Sequence, residues 1–92
     1  MTWQAPTRLR MADANAALDA GRAAISAGES RIDLAAATDV DSSAVALLLA
    51  WRRSAASAGR PLSLDNAGLA LVELVRLYGV EDLVDLRDAA TP

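Results

Sequence analysis

Three short segments in which apolar residues recur at every second position alternate with longer segments in which they recur every third or fourth. In "TRLRM" (7–11), Leu9 and Met11 share one side. In "RIDLAAA" (31–37) Ile32 and Leu34 do, and in "PLSLD" (61–65) Leu62 and Leu64 do. A period of two marks a strand with one buried side. The segment after Asp13 places Ala14, Ala17, Leu18, Ala24 and Ile25 on one helical face, with Asn15, Asp19, Arg22 and Ser26 largely opposite. Asp13 is its expected cap and Gly28 its stop. Residues 44–58 are rich in Ala and Leu and contain no Gly or Pro, so they predict a second helix, ended by Gly59 and Pro61. "NAGLALVELVRLYG" carries a third stripe, Leu71, Leu74, Val75 and Tyr78, with Asn66 as the expected cap and Gly79 as the left-handed residue after the end. "VEDLVDL" (80–86) suits both a short helix and an edge strand, and the tail 87–92 is expected to fray.

The order is strand, helix, strand, helix, strand, helix. Short connections and helical crossovers favour parallel pairing. The predicted fold is α/β: a small layer sandwich with a mostly parallel or mixed sheet of about four strands and helices packed on it. Ninety-two residues make one domain, with its core at about 8–86. Apolar residues form 53% of the chain, which excludes a disordered tail. The only aromatics are Trp3, Trp51 and Tyr78, so the core must be aliphatic, and Tyr78 is expected inside it.

Composition also narrows function. The chain has no Cys, His or Lys. A thiolate nucleophile, a disulfide framework, a zinc site, a histidine base and a Walker-type phosphate loop are therefore excluded. No cofactor or metal is expected. The net charge is -3, and nine arginines are scattered among the acids, which argues against nucleic-acid binding. The longest wholly apolar run, Ala44–Trp51, is far short of the ~20 residues that cross a bilayer. "MTWQAPTRLR" has no signal-peptide core, so a soluble cytoplasmic protein without membrane insertion is expected.

"DVDSSAVALLLAW" (39–51) is the candidate site. In α/β sheets, ligands and partners meet the edge formed by the carboxyl ends of the strands, where loop 38–43 would lie. Asp41, Ser42 and Ser43 suit helix capping, worth ~1 kcal/mol. Capping is the first reading of the residues alone, with a docking surface or a phosphate acceptor as the other. A catalytic serine is disfavoured because no base exists to activate it. Asp33, inside a buried strand, is expected to be structural. Trp51 with Arg52 and Arg53 admits two readings, a partner contact rich in Trp and Arg or a solvated basic face.

The pattern "RIDLAAATDVDSSAVALLLAWRRSAASAGRPLSL", followed by "LVELVRLYGVEDLV", resembles a STAS domain, a family that includes anti-sigma-factor antagonists and the cytoplasmic tails of sulfate transporters. The matching marks are Asp33-Leu34 and the loop Asp41-Ser42-Ser43-Ala44. "ALLLAWRRSA" and "RLYGVEDL" are most like the single-domain STAS subunit of Mla-type phospholipid ABC transporters. That resemblance implies a non-enzymatic cytoplasmic accessory subunit, held at the inner membrane through the complex. It would bind the ABC ATPase of a system that maintains outer-membrane lipid asymmetry. The implied partner-binding residues are Asp41, Ser42, Ser43, Leu47, Trp51 and Arg52. Ser42 matches the hydroxyl residue that matters in the transporter subgroup, and Ser43 the serine phosphorylated in the antagonists. The alternative is accordingly an anti-sigma-factor antagonist switched at Ser43. A homodimer of the isolated protein is also compatible with an exposed apolar surface. Two features depart from the family: Ala44 stands where Gly is usual, and the N-terminal part has room for one good strand where many members have two.

Overall fold

A computed structural model describes residues 2–88. Strands β1 (Thr2–Gln4), β3 (Arg31–Asp33), β5 (Ser63–Ala67) and β6 (Leu86–Asp88) form one sheet in the order β1-β3-β5-β6, and every pair is parallel. Strands β2 (Arg8–Leu9) and β4 (Asp39–Val40) form a second, two-stranded parallel sheet. Helices α1 (Ala14–Ser26), α2 (Ser43–Ser57), α3 (Leu69–Leu77) and α4 (Glu81–Val84) make the crossovers, and a 3-10 turn, Met11–Asp13, precedes α1. The α/β layer fold with a four-stranded sheet is as the sequence predicts.

Register explains which side of the sheet is covered. Trp3 pairs with Ile32, Ile32 with Leu64, and Leu64 with Leu86, giving one apolar row across all four strands. Neighbouring residues point the other way, and there Arg31 and Arg87 flank Asp65 at 3.8 and 3.9 Å. Strands added in sequential order through right-handed crossovers place their helices on one side of the sheet. Accordingly α2 packs against α1, α3 and α4, while the opposite side stays polar.

The core is aliphatic around one indole. Trp51, Leu9, Ile32, Leu34, Leu48, Leu64, Leu71 and Val84 are fully buried. Trp3 meets Trp51 edge to face, with ring centroids 5.5 Å apart and planes at 89°. Gly21 lets α1 approach so closely that a methyl there would overlap the Trp51 indole. The Trp51 Nε1 atom is buried without an acceptor among the described residues.

Several expectations change. The N-terminal part holds two strands, β1 and β2, in place of one over 7–11, and Met11 belongs to the 3-10 turn. Residues 39–40, expected as loop, pair with β2. Segment 80–86 divides between its two readings: α4 comes first, then the left-handed Asp85 (φ 54°), then β6. Gly59 and Gly79 take the positive φ expected after α2 and α3 (both 66°). Asn66 does not cap α3. It has a φ of 62° at the end of β5, and Gly68 is the cap residue. Asp13 precedes α1 without a side-chain capping bond; its carboxylate accepts instead from the Arg10 amide (3.4 Å). Tyr78 is not in the core: it follows the last residue of α3 and is 53% exposed. Of the tail, Arg87 and Asp88 belong to β6, and 89–92 lie outside the described residues.

Candidate functional site

Loop 39–43 is built as a braced platform. Asp39 pairs with Arg8 across the β2–β4 ladder, and its Oδ1 takes a hydrogen bond from Arg10 Nη1 at 2.9 Å. One residue after β4, the Asp41 carboxylate reaches two elements at once. Oδ2 accepts from the Met11 amide (3.1 Å) and Oδ1 from the Ser43 amide (2.9 Å). The 3-10 turn is thereby tied to the first turn of α2. The Met11 bond, then those from the Ser43 amide and hydroxyl, hold the Asp41 carboxyl below the usual carboxylate range. Asp41 is therefore an anion at neutral pH, with each carboxylate oxygen accepting one backbone amide of the protein.

The serines differ. Ser43 opens α2, is half-buried, and donates its amide to the Asp41 carboxylate, whose pKa its side chain also helps to lower. Ser42 is exposed, has helical dihedrals (φ -60°, ψ -22°), and makes no side-chain capping bond. Capping of α2 thus falls to Asp41, and the Ser42 hydroxyl is turned out to solvent. Beside it lies an open trough of about 390 Å³, lined by Ser42, Val45, Ala46, Leu49, Tyr78 and Val80.

Other residues of the expected contact point elsewhere. Trp51 is fully buried, so it cannot touch a partner unless the core opens; Leu47 is 4% exposed and shows only an edge, in a trough between α1 and α2. Arg52 is a clamp. Its Nε donates to the Val84 carbonyl at 2.7 Å, Nη2 to the Asp85 carbonyl at 2.9 Å, and Nη1 to the Leu62 carbonyl. These bonds tie α2 to the end of α4 and to the approach to β5. Burial pulls the Arg52 guanidinium below its ordinary value, and guanidinium remains charged in any case.

Asp33 is structural, as expected. Its Oδ1 accepts from the Ala35 amide (2.9 Å) and Asn66 Nδ2 (3.2 Å), and the Ala35 bond foremost lowers its pKa. The residues that sequence reasoning missed are Met11, Tyr78 and Val80. Met11 and Tyr78 are exposed large apolar side chains. Their only sequence signals are the Asp two residues after Met11 and the Tyr-Gly helix stop.

Among the described residues no three potential ligands converge to hold a metal ion. No helix among them is long and apolar enough to cross a membrane. A family model described as "Mlab, STAS domain" matches residues 4–85. No curated protein matches the chain.

Proposed function

This chain belongs to the MlaB-like STAS domain family, and from that premise we propose that it is a non-enzymatic accessory subunit that binds the cytoplasmic ATPase of a phospholipid-transporting ABC system. The observation that carries the reading is the division of labour in loop 39–43. Asp39, Asp41 and the Ser43 amide are engaged internally, while Ser42 is exposed without a side-chain capping bond, next to an apolar trough bordered by Tyr78. An exposed aromatic beside a hydrogen-bonding group and an apolar hollow suits protein association. Binding there would brace the ATPase on the cytoplasmic side of the inner membrane and so support maintenance of outer-membrane lipid asymmetry.

Catalysis has no support in this geometry. The carboxylate nearest the serines is Asp41, and its depressed pKa is the wrong direction for a general base near neutral pH. The phosphorylation-switched antagonist fits less well than the transporter subunit. A phosphate on Ser43 would bring nearly two negative charges against the Asp41 carboxylate.

The test is a pull-down of the tagged full chain from its native host, with the partner identified. Recovery of an ABC ATPase is the expected result. Recovery of a kinase-like anti-sigma factor, with an added phosphate in the intact mass, overturns it.

A further inference from the structure

Ser42, Ala46 and Ala50 form a low ridge along α2, and the apolar trough beside Tyr78 occupies only one flank of it. On the other flank a second trough, about 450 Å³, runs between α1 and α2. Leu18, Ala46, Leu47 and Ala50 form its apolar floor, and Asn15 and Arg22 of α1 and Arg53 of α2 add polar groups to the lining. Both arginines are exposed, and neither has a carboxylate within salt-bridge distance among the described residues. Among the described residues their side chains make one hydrogen bond, from Arg22 Nε to the Ser54 hydroxyl at 3.2 Å, which leaves the rest of that fork open.

The geometry points to a carboxylate-bearing amphipathic helix of the partner as the occupant of this trough, its apolar stripe on the Ala/Leu floor and its Asp or Glu between Arg22 and Arg53. The inference rests on the ATPase-binding reading above and names the part of the partner that docks. The walls are two helices whose backbone groups are already paired, so a strand would find nothing to extend. A helix finds side chains spaced at three and four residues, which is groove recognition. From Asn15 to Arg22 the wall is about 10 Å long at 1.5 Å per residue, enough to seat two turns. The alanines allow close backbone approach. Two unneutralised guanidinium groups beside an apolar floor select a carboxylate, which each fork can bind bidentately. A second copy of this chain would have to dock through exposed acids such as Glu73 or Glu81, because its Asp39 and Asp41 are held by Arg8, Arg10 and the Met11 amide; a dimer of the chain alone is the outcome that would reveal it.

The experiment is a binding titration of the full chain with the purified ATPase of the host's phospholipid ABC transporter, at two salt concentrations. The double variant Arg22→Gln/Arg53→Gln should weaken binding by at least about tenfold, and its affinity should respond less to salt than that of the unsubstituted chain. Arg76→Gln, a cation on α3 outside this trough, should leave the affinity within about twofold. Thermal midpoints of both variants report that the fold is kept. Unchanged affinity in the double variant overturns the inference and leaves ATPase binding standing. No complex with the unsubstituted chain overturns both. A dimer of this chain alone that the same double substitution splits would assign the trough to a second copy, and also overturns the inference.

Discussion

Along the inner side of α2, Ala44, Leu48, Trp51 and Ala55 are buried; along the outer side, Ser42, Ala46 and Arg53 are exposed and Ala50 is half-buried. The two sides share a backbone but answer to different constraints. The inner side is specified by volume. Trp51 fits only because α1 offers Gly21 beneath the indole and Trp3 closes on it edge to face, and interiors packed to crystal-like density tolerate little change. The outer side carries two alanines, a serine and an arginine, and among the described residues neither polar side chain makes a hydrogen bond within the chain. Side chains that the fold leaves unconstrained are free to serve a partner. Arg52 stands at the border and belongs with the inner side, because its donors go to carbonyls of this chain.

Substitutions should separate the two sides by what they damage. The largest loss is expected from Trp51→Ala, which empties the centre of the core and should cost about 3–5 kcal/mol in denaturant unfolding. Arg52→Ala comes next. It strips the guanidinium partner from three carbonyls, for about 2 kcal/mol, and should also loosen the end of α4 in hydrogen exchange. A loss of partner affinity in Arg52→Ala with full stability would move Arg52 to the outer side and break the comparison.

A smaller effect should appear with pH. Asp41 and Asp33 have carboxyls held below their ordinary value in the folded state by backbone amides, those of Met11 and Ala35 first. Their stabilising contribution is complete above the unfolded pKa of about 4 and is lost as pH falls through the lower folded values. Denaturant midpoints should therefore drop below about pH 4. Asp41→Asn should flatten that drop, since an amide does not titrate, and should lower stability at neutral pH because its NH2 group cannot accept from the Met11 or Ser43 amide. An identical acid profile in the variant would show that the Asp41 bracing contributes nothing.

How much of this is legible in the sequence depends on whether the pattern carries a phase. The pairs Ile32/Leu34 and Leu62/Leu64 do, and they foretell the two central strands. "AVALLLAW" does not: apolar on every side, it declares a helix without saying which way Trp51 turns. Trp51 is therefore open to an interface reading until the core is seen. Strand β1 has a single apolar residue, Trp3, and no period to read. It pairs because of where Ile32 and Trp51 lie. Tyr78 keeps the period of Leu71 and Val75, yet nothing local marks where the core stops. Loop 39–43 is legible as a site from its acids and serines before an apolar run. That Asp41 caps α2 while Ser42 faces outward depends on Met11, thirty residues away in sequence.

The most direct measurement sets stability against affinity for one residue. Ser42→Glu, titrated against the purified ATPase alongside a denaturant curve, should keep the unfolding free energy within about 0.5 kcal/mol and weaken the complex by at least about tenfold, a charge having entered a dry contact. Unchanged affinity in a protein of unchanged stability would contradict the assignment of Ser42 and the outer side of α2 to partner binding.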